Sequence, residues 1–351
     1  MTLPVTDSFL HRLGWDDGWD AAFAEHRAAG LSPARVAVQH RGAYDLATED
    51  GELRASAANR LVRDDLLPAV GDWIGFDPET ARVEVVLERR TSISRKEALN
   101  ATREQILAAN VDVAFLTQGL PLDFNPRRLE RYLAMAWESG AEPVVVLTKA
   151  DLVDDVLPFL AEVEAVTLGA CPTIAVSAPT HTGLDELRAQ LVPNRTAVLL
   201  GSSGVGKSTL VNALAGEELL ATQEVRADDH QGRHTTSHRE LIVLAAGGVV
   251  LDTPGMRELQ LWDADLEQTF GDVEEIARRC RFSDCAHDQE PGCAIRDALA
   301  DGSLPLERWQ SYVKLERELA ALEVRRNHLL RHEQLRQYKI RARQHRSKKK
   351  R

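Results

Sequence analysis

Several features are missing from this chain of 351 residues, and each absence narrows what it can be. No apolar run approaches the length of a membrane span, and the opening MTLPVTDSFL lacks the basic-then-apolar pattern of a secretion signal. A soluble, cytoplasmic protein with no membrane partner is therefore expected. Cysteine occurs only four times, which gives no disulfide framework in that compartment; three of the four cluster late in the chain and invite a metal reading. Internal repeats are absent. What remains is ample for folding: 44% hydrophobic residues can bury substantial cores, and the length suits two or three domains.

The net charge of −11 conceals an asymmetry. From Arg325 onward there are twelve Lys/Arg against the single acid Glu333, about +11, which leaves about −22 on everything before it. An acidic body with a basic tail suits an extended anion such as nucleic acid, although a solvated helix end would look the same.

Composition shifts divide the chain. Residues 1–32 form an acidic extension with Trp15 and Trp19, readable as a short helix lying on a neighbouring domain. Over 33–98 come short alternating runs, ARVAVQH, AYDLATE, GELRASA, VGDWIGFD and RVEVVLERRTSISR, separated by turns such as EDGE and DPET. Five short strands in this span fit an oligonucleotide-binding barrel, whose last strand Arg89, Arg90, Arg95 and Lys96 would make basic; a purely structural barrel is the alternative. From 99 to 262 strands alternate with amphipathic stretches, as in a doubly wound α/β domain with its site at the carboxyl ends of the strands. Residues 263–351 read as helical, with the cysteine cluster and the basic tail.

The strongest motif is GSSGVGKST, entered from the apolar run TAVLL and followed by a helical run from about Ser208 to Ala215. The glycines Gly201, Gly204 and Gly206 permit conformations in which the N–H groups of the loop, Ser202, Ser203 and Val205 included, ring a phosphate. Lys207 would reach the β- and γ-phosphates, Ser208 would place its hydroxyl on Mg²⁺, and Thr209 follows in the helix whose positive end faces the same oxygens. A third glycine at dinucleotide-binding spacing is missing, which argues against that class.

Downstream, LDTPG supplies Asp252 for the Mg²⁺ shell and the Gly255 N–H for a γ-phosphate. Between it and the cradle lies QEVRADDHQGRHTTSHRE, a switch-like stretch in which Thr235 or Thr236 would cap Mg²⁺. A base-reading motif is missing there. It stands upstream instead, at the end of VVVLTKAD: the Asp151 carboxylate can accept N1–H and N2–H₂ of guanine, which adenine cannot satisfy, and the Lys149 stem can cover the base. Thr148 leads this motif, and the backbone at Ser177 and Ala178, ending the next strand, can meet guanine O6. Both elements precede the cradle, so the strand order is cyclically permuted.

Cys280, Cys285, His287 and Cys293 are spaced C-x₄-C-x-H-x₅-C. Three thiolates and an imidazole make a closed tetrahedral shell suited to one structural Zn²⁺, while reduced cysteines in a helical core are the alternative. Cys171, alone beside Pro172, reads as a packing residue.

Taken together, VGDWIGFD, RRTSISRK, TKAD, SA, GSSGVGKST, GRHTTSHREL, DTPGMREL and the late cysteine/histidine cluster resemble the circularly permuted, ribosome small subunit-dependent GTPases (RsgA, also called YjeQ), over nearly the whole chain. The resemblance implies an N-terminal barrel, a permuted P-loop GTPase domain and a helical zinc-binding domain. It also implies a GTPase that binds the small ribosomal subunit and its rRNA, is activated by it, and acts late in its maturation, here as a monomer. The cluster's four positions match the family's zinc ligands. Two departures stand out. Thr148 replaces the usual asparagine, losing an amide that braces the cradle and faces guanine N7. Met256 stands where Ras-like enzymes carry a water-orienting glutamine, so another group must complete hydrolysis. Of His230, His234 and His238, His234 adjoins Thr235–Thr236 and is the expected partner of the attacking water, with Lys207 and these threonines completing the catalytic set. The rival functions are a nucleotide-gated RNA-binding scaffold with incidental hydrolysis, and an ATP-using P-loop kinase, against which Asp151 argues.

Overall fold

The structure, a computed structural model, describes residues 8–97, 100–220, 240–252, 266–321 and 323–324, with the backbone alone at 95–97, 100–104 and 252. It divides into two compact units: Met1–Ile93 with Ile106–Leu259, and Ser94–Gln105 with Gln260–Arg351.

The first unit begins with two helices, α1 (Phe9–Arg12) and α2 (Asp17–Ala28), the latter capped by the Asp16 side chain on the Trp19 N–H. Five strands follow: β1 (Ser32–Gln39), β2 (Tyr44–Thr48), β3 (Gly51–Ala57), β4 (Trp73–Asp77) and β5 (Arg82–Val86), with α3 (Asn59–Arg63) between β3 and β4. They pair in the order β1-β2-β3-β5-β4, and β1 also pairs with β4, which closes the barrel. Ala34, Val36, Leu46, Ile74, Phe76 and Val83 fill its interior. The extension is helical and does lie on a neighbour: Trp15 meets Trp73 of β4 edge-on at 4.8 Å, and Phe23 packs beside Trp15.

The basic end of the barrel differs from expectation. RVEVVLERRTSISR is not one strand: β5 stops at Val86, and the chain resumes as β6 (Ser92–Glu97), which among the described residues pairs with β7 (Asn100–Ala109) in a separate two-stranded sheet. Arg89 and Arg90 fall in the connection and are occupied. Arg89 forks onto the buried Asp72 carboxylate with two bonds of 2.7 Å; burial still pushes the Asp72 carboxyl upward. Arg90 pairs with Asp16 and stacks on the Trp19 ring at 4.0 Å. A desolvated or stacked guanidinium with a carboxylate partner is a structural element, not a free phosphate contact.

The remaining strands are β8 (Val113–Gly119), β9 (Glu142–Thr148), β10 (Thr173–Ala175), β11 (Thr196–Leu200), β12 (Glu240–Val243) and β13 (Val249–Asp252). In the order β10-β9-β8-β11-β13 all pairs are parallel, and β12 adds an antiparallel edge. Between them lie α4 (Pro126–Ser139), α5 (Leu157–Thr167), α6 (Leu184–Ala189) and α7 (Lys207–Ala215). The near-continuous apolar strands VAFL, VVVL and AVLL are buried on both faces, as a helix-covered parallel sheet requires. The core holds Val113, Phe115, Val144, Val146, Ile174, Leu199 and Val250.

Barrel and sheet are joined. β1 carries a bulge between Val36 and Val38, and beyond it Val38 pairs with Glu240 of β12, so eleven strands form one continuous sheet. Arg35, one residue before Val36 and fully buried, fastens the same junction. Its guanidinium donates to Leu13 O, Gly71 O and Asn110 O, and to Thr196 Oγ1 at the start of β11. Burial lowers its pKa to about 10, with Asp112 and Asp72 opposing.

The second unit contains α8 (Glu267–Ala277), α9 (Ala294–Asp301) and a helix over 306–321. Arg308 forks onto Asp272 at 2.8 Å and covers the Phe270 ring, while Tyr312 donates to Glu274 and meets Phe270 at 5.5 Å. The basic tail from Arg325 lies outside the described residues.

Candidate nucleotide and metal sites

The carboxyl ends of β8, β9 and β11 converge on the glycine-rich loop. β11 delivers Gly201 against Thr117 of β8, whose hydroxyl donates to Leu200 O at 2.7 Å. A Cβ on Gly201 would lie 2.0 Å from Thr117 Oγ1 and 2.8 Å from Thr117 O, so only glycine fits. Ser202 and Ser203 lead to Gly204, and Val205 is buried. Gly206 then caps α7 with φ 102, a conformation that disfavours other residues. No side chain caps this helix, so the first-turn N–H groups of Lys207, Ser208 and Thr209 lack intrahelical acceptors and face the loop's mouth with the positive end of the helix. Lys207 Nζ lies over that mouth, donating to Gly201 O at 2.8 Å and Ser202 O at 2.6 Å.

The sequence-predicted base-reading segment reaches this loop directly, although it stands some fifty residues earlier. Thr148 Oγ1 donates to Val205 O at 2.6 Å and lies 3.3 Å from Gln118 O. Lys149, itself at φ 60, extends its ammonium to Gly204 O at 2.8 Å. These two bonds tie the end of β9 to consecutive parts of the loop. Asp151 follows in a 3-10 turn, Ala150–Leu152, with its side chain exposed. The Ala150 N–H donates to Val176 O, which joins the turn to the end of β10 and so to Ser177 and Ala178; Ser177 is buried and accepts the Thr180 N–H. The sequence-predicted cradle and base reader are thus brought together at one sheet edge.

Other expected participants fall elsewhere. Asp252 ends β13, next to β11, with only its backbone described. His234, Thr235, Thr236 and Gly255 lie outside the described residues, as do His230, His238 and Met256.

Asp123 carries no sequence signal, yet it reaches the site. It lies between β8 and α4, accepts the Ser202 hydroxyl, and pairs with Arg128 of α4 at 3.0 Å. Gln118 Oε1 accepts the Asn125 N–H at 3.1 Å behind it, while Gln118 Nε2 and Arg128 Nε are buried without partners among the described residues. A lone aspartate some eighty residues before the loop belongs to no motif. Only the strand order places it there.

In the second unit Cys280, Cys285, His287 and Cys293 converge, their ligand atoms all within 4.8 Å of one another. His287 Nδ1 lies 3.5 Å from both Cys280 Sγ and Cys293 Sγ. In a tetrahedron with metal–sulfur bonds of about 2.3 Å and metal–nitrogen bonds of about 2.0 Å, the sulfur–nitrogen edge is about 3.5 Å. The donor set therefore fits a soft-ligand cation with no open position. Burial opposes ionisation of Cys280, but the backbone N–H groups of Ile295 and Ala294 at the start of α9, together with the thiols of Cys285 and Cys293, outweigh it and hold the thiol below its ordinary range. Trp309 buttresses the His287 ring edge-on at 5.5 Å. Cys171 stands apart, its thiol pushed by burial up to about 11, as suits packing rather than reactivity.

Comparison with known proteins agrees with this geometry. The family model described as RsgA GTPase matches residues 86–262. The small ribosomal subunit biogenesis GTPase RsgA 1 of Listeria innocua is 47% identical over 309 residues, 86% of this chain and 88% of that protein. The Streptomyces coelicolor small ribosomal subunit biogenesis GTPase RsgA is 45% identical over 342 residues, 95% and 93% of the two chains. Among solved structures, YjeQ from Thermotoga maritima superposes with a TM-score of 0.61 at 27% identity, covering 83% of this chain and all but 1% of its own (99%). YloQ, described as a circularly permuted GTPase, gives 0.58 at 25% identity, covering 83% and 96%.

Proposed function

This chain belongs to the RsgA GTPase family, and on that premise we propose that it hydrolyses GTP to GDP and phosphate in the assembly of the small ribosomal subunit. The observation that carries the reading is the pair of bonds from Thr148 and Lys149 to Val205 and Gly204, which fuses a guanine-reading turn to a phosphate loop although their order is permuted.

In this reading the loop from Gly201 to Gly206, with the N–H groups of Lys207, Ser208 and Thr209, holds the phosphates, and Lys207 swings from its carbonyls to the γ-phosphate. Asp151 accepts the guanine N1–H and N2–H₂, Lys149 covers the ring, and the backbone at Ser177–Ala178 meets O6. Ser208, with Asp252 and Thr235 or Thr236, would hold a Mg²⁺ ion, which would supply charge neutralisation at the phosphates. His234 orients the attacking water, replacing the glutamine that Met256 displaces. Zn²⁺ is the cation that suits Cys280, Cys285, His287 and Cys293, where it secures the fold of its segment. The working segments are the extension 1–32, the barrel 33–98, the GTPase domain 99–262 and the zinc-binding helical domain 263–351. The barrel and the zinc-binding helical domain grip rRNA, and the protein works as a monomer in the cytoplasm.

Multiple-turnover GTP hydrolysis with and without purified small subunits tests this. Strong stimulation is expected, and a subunit-independent rate would favour a scaffold whose hydrolysis is incidental. His234→Ala is expected to keep GTP and subunit binding but lose most stimulated turnover. Stimulation within a factor of two of the parent would move the role elsewhere.

A further inference from the structure

We propose that this site selects guanine by its Watson–Crick edge alone and leaves the N7 edge unread, because the hydroxyl proton of Thr148 is committed to the phosphate loop. The proposal rests on the assignment of Asp151 as guanine reader and deepens it.

Guanine N7 is only a hydrogen-bond acceptor, so reading it requires a donor. An asparagine amide carries two protons on one nitrogen and can serve a loop carbonyl and N7 together; a threonine hydroxyl has one. In this structure that proton faces two carbonyl oxygens, Val205 O at 2.6 Å and Gln118 O at 3.3 Å. Thr148 is 4% exposed, and its Oγ1 sits within 3.9 Å of where a Cβ on Gly206 would be, wedged against the loop rather than projecting from it. Turning the proton toward N7 would exchange one neutral hydrogen bond for another. It would also strip a buried carbonyl of its donor, which costs as much as the new bond returns. The remaining lone pairs of Oγ1 repel an acceptor. The neighbouring donor, Lys149 Nζ, is directed at the loop as well, donating to Gly204 O at 2.8 Å. The hydroxyl therefore works as a brace for the loop and not as a contact to the base.

A nucleotide lacking N7 tests this. Binding of GDP and of 7-deaza-GDP, in which a C–H replaces N7, is measured calorimetrically on the full-length protein with Mg²⁺; diphosphates avoid turnover. The two affinities are expected to agree within threefold. A preference for GDP beyond threefold would overturn the proposal. Thr148→Asn supplies the second proton and is expected to create a preference for GDP of roughly five- to tenfold, the worth of one neutral hydrogen bond. If that variant binds both ligands equally, residue 148 does not face N7 and the proposal falls. Thr148→Val, which removes the brace but keeps the shape, is expected to weaken both ligands alike. Inosine diphosphate, which lacks the 2-amino group, reports separately on Asp151. It is expected to bind more weakly than GDP whatever happens at N7, and equal binding would overturn the Asp151 assignment and this proposal with it.

Discussion

The bonds that hold the phosphate loop run between distant parts of the chain: Lys149 to Gly204, Thr148 to Val205, Asp123 to Ser202 and Thr117 to Leu200, at separations of 55 to 83 residues. The cysteine–histidine cluster has no such reach, since its four candidate ligands fall between Cys280 and Cys293. The loop is the edge of a large parallel sheet whose buried strands fix three strand ends before any ligand arrives. The cluster sits in the irregular stretch between α8 and α9, in a unit whose large buried apolar side chains, among the described residues, are Leu266, Phe270, Val273, Ile276, Ile295, Leu304 and Leu315. Elements that fold by mutual burial can hold a ligand site open at little cost. A segment with a thin core would draw its stability from a cation bound at the cluster, because metal binding there is also folding energy. The cradle is thus built to exchange its ligand and the cluster to keep it.

The largest effect that would test this contrast is expected at the cluster. Replacing Cys285 by serine removes one of four donors, in a class of site whose metal contributes on the order of 10 kcal/mol to folding. Metal analysis should then show loss of the bound cation, and calorimetry should show loss of the unfolding transition that belongs to the second unit. GDP affinity in the first unit should persist. A parent protein without zinc, or a variant that melts like its parent, would erase the difference between the regions.

Lys207→Ala should behave in the opposite way. Its ammonium contacts the carbonyls of Gly201 and Ser202 at the loop's mouth, so its removal should leave the melting profile near that of the parent. Losing a positioned cation at developing phosphate charge should instead lower stimulated GTP turnover by about 10²- to 10³-fold. Near-parental turnover would mean that the loop is structural.

How much of this was legible in the sequence follows from the same contrast. Contiguous motifs carry their own geometry: GSSGVGKST, TKAD and the C-x₄-C-x-H-x₅-C spacing specify turns and donor sets that survive whatever surrounds them, and each stands where expected. The barrel's strand count was readable from its alternation and turns. Partnerships were not. The run of arginines after β5 looked like a basic strand because a one-dimensional charge run names no counter-ion. Folding supplies Asp72 for Arg89 and Asp16 for Arg90, and the strand ends at Val86. The pairing of β6 with β7 and the junction between β1 and β12 were likewise invisible, since both depend on where distant strands come to rest.

Asp123 gives the smallest effect and the sharpest test of the idea that the cradle is held by several independent braces. Its carboxylate accepts the Ser202 hydroxyl and pairs with Arg128, whose guanidinium also reaches Asp123 O and lies 3.4 Å from Gln118 Oε1. Asp123→Ala removes one brace. Thr148, Lys149 and Thr117 remain in place, and Arg128 keeps its backbone acceptor. A hydroxyl donating to a partly exposed carboxylate contributes about 1.5 kcal/mol net, and a partly exposed ion pair about 1 kcal/mol or less. GDP affinity should therefore weaken by only about three- to tenfold, with the melting temperature changed by a few degrees. Removing Thr148's hydroxyl as well, in Asp123→Ala/Thr148→Val, distinguishes two kinds of cradle. If the braces are independent, the two free-energy losses add to within about 0.5 kcal/mol. A double variant much weaker than that sum would mean that each brace covers for the other, and that the loop stays open only while one of them survives.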